Sequence, residues 1–217
     1  MGLPLKEQYH FVRSGVPMYL TEGDGWLVSA NTHREMLLAL YIRDLAGIHP
    51  VGMPEISPLN PEVKPSAAYE AERHEPAELR QEWQSWWEAI LAGTPDLEDS
   101  EEPDFSCFDD SPTLQVLMRA HYGSAMSWAE DRIAEYEALS RRHASIGRRA
   151  LLERIIDEQI MEMEREPRAF TLNLVELPLT EPRAWFVEPS LVILSQHLIE
   201  DPELFRSYLQ PVIKFLI

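Results

Sequence analysis

The sequence is poorest in cysteine. Cys107 is the single thiol among 217 residues, so no internal disulfide can form and a reducing compartment is expected. Long apolar runs are missing as well. Leu191-Val192-Ile193-Leu194 is far shorter than the roughly 18 residues that suggest a membrane span. The opening Met1-Gly2-Leu3-Pro4-Leu5-Lys6-Glu7 lacks the basic start and continuous apolar stretch of a secretory signal. It also lacks the Ser or Thr at position 6 that N-myristoylation requires. A cytoplasmic protein, neither secreted nor embedded in a membrane, is the expectation.

Glycine is sparse and scattered, with nine in the chain. Neither GxGxxG nor the GxxxxGK(S/T) loop occurs, which removes the clustered backbone amides that cradle a nucleotide phosphate. Lysine is scarcer still: Lys6, Lys64 and Lys214 are three of the 19 basic residues, the rest being arginine. That bias suggests a GC-rich bacterial genome. Basic residues are outnumbered by 37 acidic ones, for a net charge of −18. Such a surface repels phosphate backbones and anionic lipid, so neither nucleic acid nor membrane is expected to bind directly; basic proteins are attracted instead.

What is present is ample for a core: 45% hydrophobic residues and six tryptophans. Residues 1–47 read as a hairpin followed by a helix. Gly15–Thr21 and Trp26–Ala30 flank Glu22-Gly23-Asp24-Gly25, a stretch suited to a tight reversal. Thr32-His33-Arg34-Glu35 has capping-box spacing. Met36, Leu37, Leu40, Tyr41 and Leu45 continue at helical spacing to Gly47. Residues 48–66, with prolines at 50, 54, 58, 61 and 65, form a connector that cannot be one helix.

Residues 67–166 read as helical, interrupted by an acidic loop at 94–111. Leu79, Trp83, Trp86, Trp87, Ile90 and Leu91 share a helical spacing up to Gly93, and Ser111-Pro112 resembles a helix start. Tyr122, Met126, Ala129, Ile133 and Tyr136, then Leu152, Ile156, Ile160 and Met163, predict an antiparallel helix pair turning at Ser145-Ile146-Gly147, with Gly123 as an interruption before it. Residues 167–217 read as a second hairpin, Phe170–Leu177 and Ala184–Val187, followed by two helices. The first of these is Ser190–Glu200, which fits a helix or a strand and is read as a helix; the second opens at Asp201-Pro202-Glu203 and ends or kinks at Pro211. Together these predict an α+β fold in one compact domain overall: one antiparallel sheet built from the N- and C-terminal hairpins, with a helical middle region formed by an antiparallel helix pair.

No arrangement carries recognisable catalysis, so no catalytic residue, cofactor or metal is assigned. The histidines form no HxxxH, HxH or HExxH, and His74–Glu78 and His197–Asp201 are poor ligand pairs because proline or a helix boundary separates their members. Cys107 lies among aspartates that raise a thiol pKa, which suits an anchor with Phe105 and Phe108 better than a nucleophile. No Gly-x-Ser-x-Gly elbow occurs. Trp83, Trp86 and Trp87 fit a core better than a stacking platform.

The candidate partner-binding residues are Asp96, Glu98, Asp99, Glu101, Glu102, Asp104, Asp109 and Asp110, with no basic residue among them. Arg141, Arg142, Arg148 and Arg149 form a candidate anion patch, with pairing to carboxylates as the plainer reading. The leading expectation is a non-enzymatic acidic protein that docks a basic protein partner, in the manner of an inhibitor, an immunity protein or a polyanion mimic. One alternative is an enzyme or small-ligand binder whose pocket gathers dispersed Trp, His and acidic residues. Another is a structural subunit that forms homo-oligomers through helices 124–166.

Overall fold

The computed structural model describes residues 18–23, 25–48, 54–66, 77–93, 105–163 and 168–217. They form five α-helices and a five-stranded sheet: β1 (Met18–Gly23), β2 (Trp26–Asn31), α1 (Arg34–Ala46), α2 (Ala77–Leu91), α3 (Pro112–Ser145), α4 (Arg148–Met161), β3 (Phe170–Leu177), β4 (Ala184–Glu188), β5 (Leu191–Ser195) and α5 (Pro202–Leu216). The chain divides into two compact units. The first takes residues 33–55 and 62–129 along with the first 16; the second takes 17–32, 56–61 and 130–217.

The first unit is helical and aromatic. α1 is buried on nearly every side and closes at Gly47, whose left-handed backbone returns its N–H to the carbonyls of Arg43 and Asp44. Its N-cap is His33 rather than Thr32, and that side chain makes no cap bond. α2 packs on α1. The Trp83 indole donates to the carbonyl of Ala39 at 2.7 Å, and Trp83 stacks on Trp87 with centroids 5.7 Å apart. Both rings are buried, as a helical stripe of tryptophan predicts for a core. Trp86 meets Phe108 edge-on, and Phe105 meets Tyr122. Glu82 accepts the N–H of Leu114 at 2.6 Å, satisfying one free donor in the first turn of α3.

The second unit holds the sheet, in the order β1-β2-β3-β5-β4. β1 and β2 form the expected N-terminal hairpin. A Cβ on Gly23 would lie 2.5 Å from the Trp26 indole, so only glycine lets that ring fold back over the turn. The rest of the sheet departs from the antiparallel expectation. β2 pairs with β3 in parallel, Trp26 opposite Phe170 through Asn31 opposite Val175. β3 then pairs in parallel with β5, and only β4–β5 is antiparallel. The sheet is therefore mixed, because a parallel pair needs a long crossover and the helical middle of the chain supplies one.

β5 also corrects the helix expected over 190–200. All five residues Leu191–Ser195 are buried, and a strand covered on both faces reads as an unbroken apolar run rather than an alternating one. Only Leu198–Glu200 makes a short 3₁₀ turn. β3 and β4 consequently do not pair as a hairpin.

One sheet face, including Val28, Leu172, Leu174 and Val192, packs with Leu152, Ile155 and Ile156 of α4 and with Phe205, Leu209 and Ile213 of α5. α4 packs against α5 and β1. The expected antiparallel pairing of the two middle helices is thus replaced by an α4–α5 layer on the sheet. α4 is tied on both sides: Thr21 of β1 donates to Glu153 at 2.5 Å, and Arg206 of α5 grips Glu158 with both terminal nitrogens. α3 runs through Gly123 without a break.

α5 starts as predicted, with the Asp201 carboxylate accepting from the Leu204 N–H at 3.0 Å and Pro202 in the first turn. It continues past Pro211 to Leu216. The proline deprives the Ser207 carbonyl of its donor, but Ser207 lies on the exposed side where water can replace it. Residues 56–61 join this unit through a bridge between Leu59 and Leu179, flanked by Asn60 N–H to Pro178 O at 2.8 Å and Thr180 N–H to Pro58 O at 3.0 Å.

Candidate functional site

Two features of the second unit concentrate its distinctive chemistry. The first is a buried polar network at the carboxyl end of β3. Tyr136, Ser140 and His143 fall four and three residues apart on α3, so they share one helical face. Gly147, at φ +89, makes the turn that a side chain would strain. Arg148 follows as the first residue of α4. Its Nη1 donates to Glu176 Oε1 at 2.6 Å and its Nη2 to Ser140 Oγ at 3.0 Å. His143 Nδ1 stands 3.5 Å from Arg148 Nη1 and 3.6 Å from Glu176 Oε2.

The Arg148, Glu176 and His143 side chains are 1%, 3% and 0% exposed, so the ion pair is removed from water and its members must satisfy one another. They do so incompletely. Among the described residues His143 Nε2, Arg148 Nε and Glu176 Oε2 have no hydrogen-bond partner, while the Tyr136 hydroxyl lies against Arg148 and Ser140. Burial pushes the Tyr136 hydroxyl well above the ordinary tyrosine range; the Glu176 charge pushes the same way and Arg148 opposes it. The hydroxyl therefore stays protonated beside the pair. The network is held together by its own members and leaves none of its ionic groups open to solvent.

The second feature is open. Among the described residues β4 is a sheet edge, with β5 as its one neighbour. Beside it lies an apolar groove of about 380 Å³, lined by Phe186, Val187, Glu188 and Pro189 from the strand end and by Pro211, Val212 and Phe215 from α5. Phe186 is opposite Val192, which belongs to the core face, so its ring leaves the sheet on the α5 side. It is 48% exposed and Phe215 is 74% exposed. The register shifts between Phe186 and Glu188, and a bulge of this kind bends an edge strand and re-aims its side chains. Glu188 is the single charged group of the lining.

The residues singled out from sequence are dispersed. Asp96, Glu98, Asp99, Glu101, Glu102 and Asp104 lie outside the described residues. Asp109 and Asp110 are exposed, just before α3. Phe105 and Phe108 are buried while Cys107 is exposed, so the loop is anchored by its phenylalanines and not by the thiol. Arg148 is drawn inside to Glu176. Arg142 is exposed and meets Glu200 at 3.3 Å, Arg149 meets Glu153 at 2.8 Å, and Arg141 is exposed. The arginines thus divide among separate carboxylates. His74 lies outside the described residues. His197 Nδ1 sits 3.8 Å from Glu200 Oε2, and the Asp201 carboxylate is spent on the α5 cap. Among the described residues no group of three or more His, Cys, Asp or Glu converges as a metal site, and no helix is long and apolar enough to cross a membrane.

Compared with known proteins, the chain matches no family model, no curated protein and no solved structure. The site is therefore read from its own chemistry. Glu176, Ser140, Tyr136 and the groove phenylalanines were not singled out from sequence. The available signals were one acid in the otherwise apolar end of Phe170–Leu177 and a polar stripe at 136, 140 and 143 on a charged helix.

Proposed function

We propose that this chain is a non-enzymatic binding protein of the cytoplasm that docks a basic protein partner. The observation that carries the reading is where the surplus of carboxylate lies. Arginines 142, 148, 149 and 206 are each held by a carboxylate of their own unit. Acidic side chains also stand on the surface, with Glu130, Asp131, Glu135 and Glu137 exposed along α3, where Arg132 pairs with Glu135. With a net charge of −18 behind it, such a surface steers cationic partners and repels polyanions.

The test is affinity capture on the immobilised full chain with a rising salt gradient. A basic protein released as salt rises supports the reading, because exposed charge attraction is screened. Partners that are acidic, or that stay bound equally at low and high salt, overturn it.

A small-ligand reading has one observation in its favour. The unpartnered atoms of His143, Arg148 and Glu176 gather with Tyr136 at the carboxyl end of a parallel strand, the place where open sheets with parallel strands commonly bind ligands. A small-molecule thermal-shift screen in which stabilisation vanishes in Ser140→Ala and Tyr136→Phe would favour this reading over the first.

A further inference from the structure

Resting on the basic-partner reading, we infer that the groove between the β4 edge and α5 is the anchor site of that partner, and that it receives an apolar side chain from a segment flanked by lysine or arginine. Single exposed phenylalanines need no explanation, but here two of them converge. Phe186 and Phe215 come from different elements, 48% and 74% exposed, and face one groove whose remaining walls are largely Pro189, Pro211 and Val212. At about 380 Å³ the groove is at the size of a site for a small group, and a predominantly apolar lining with one fixed polar group is the usual composition of such sites. Phe215 is in the last turn of α5, beyond Pro211, so neither the core nor the helix start depends on it.

Charge selects the occupant. A second copy of this chain would bring a further net charge of −18 as a whole, and two like-charged bodies repel at the range where docking begins. A cationic segment gains from that field on approach. Glu188, on the groove wall, is then placed to meet a lysine or arginine next to the buried anchor, while the aromatic rings exclude water around it. Central apolar anchor and charged rim together are the ordinary anatomy of an energetically concentrated interface.

The experiment uses the full ¹⁵N-labelled chain and three acetylated nonapeptides. The first alternates lysine with valine around one tryptophan. The second replaces its apolar residues by serine, and the third replaces its lysines by glutamate. The first peptide is expected to shift the amides of 186–189 and 212–215, to bind more weakly as salt rises, and to lose roughly tenfold in affinity to Phe215→Asp. Because Phe215 is exposed, that variant keeps its fold, which the unperturbed remainder of the spectrum verifies.

If the serine peptide binds as well as the first, with shifts outside the groove, the anchor site is overturned while the basic-partner reading stands. If the glutamate peptide binds as well, the basic-partner reading itself fails. Groove shifts that grow with protein concentration without any peptide assign the site to a second copy and overturn the stated occupant. No shift with any peptide at millimolar concentration overturns the anchor site.

Discussion

The polar network beneath the α3–α4 turn and the apolar groove beside β4 belong to the same unit, and they invert the usual placing of side chains. In the network an arginine, a glutamate and a histidine are sealed from water; in the groove two phenylalanines stand in it. The inside charges answer one another, and the cost of their burial is met by mutual pairing. The outside rings answer nothing within the unit. Chemistry that looks reactive is thus consumed by folding, whereas the surface that looks inert is the part left open to solvent.

The comparison breaks most forcefully at Arg148. Arg148→Ala leaves the Glu176 carboxylate buried without its cation and is expected to cost about 3–5 kcal/mol. Pairing Arg148→Met with Glu176→Leu removes both charges and should restore most of that loss. Urea denaturation of the single and double variants measures the difference, and equal destabilisation would show that charge is not the reason.

Tyr136 sharpens the comparison at alkaline pH. Its folded pKa is raised above the ordinary value of 10.0, chiefly by burial and next by Glu176. The folded state therefore holds this proton more tightly than the unfolded chain does. The associated stability is fully present below pH 10 and is lost as pH rises beyond it. Tyr136→Phe should flatten the alkaline limb of a melting-temperature profile.

The acid limb belongs to α4. Glu153 is held below the ordinary glutamate value of 4.5, first by the Thr21 hydroxyl and then by Arg149; Glu158 is held below it by Arg206. Stability from these groups is present above that value and is lost as pH falls through their depressed folded values. Both carboxylates are substantially solvated, so Glu153→Gln and Glu158→Gln should produce only a modestly shallower acid limb. The least effect on folding is expected from Phe215→Asp, within about 0.5 kcal/mol by thermal denaturation, although its effect on binding is the largest named for the groove.

Elements with local chemical signatures were legible in the sequence. Gly47 ends α1, and Asp201 with Pro202 starts α5, because a cap needs only neighbouring residues to act. The tryptophan stripe on α2 announced burial by its spacing alone. Features decided over distance were not legible. Gly123 and Pro211 carry real helix penalties, yet the helices that contain them continue, since their neighbours and solvent offset one weak position. β5 matched a buried helix as well as a buried strand until its pairing with β3 and β4 was known.

The candidate site was harder still. His143 meets Glu176 directly and Ser140 meets it through Arg148, across a turn and a strand far apart in sequence. Arg148 sits beside Arg149 in sequence but enters the interior, while its neighbour pairs with Glu153 on an exposed stretch. Nor does a phenylalanine in the chain announce whether it fills a core or lines a groove. Phe205 and Phe215 share one helix, buried and exposed respectively.

The parallel seam between β2 and β3 also sets a timetable. Ser29 reaches Asn173 across 144 positions of chain, so the N-terminal hairpin leaves the ribosome long before the strand that completes it exists. Until residue 170 has been made, β2 offers an unpaired edge, and everything between the two strands must be threaded into a single closure. Assembly of the sheet is consequently a late event in synthesis, and the first hairpin is the stretch most exposed to wrong partners in the interval.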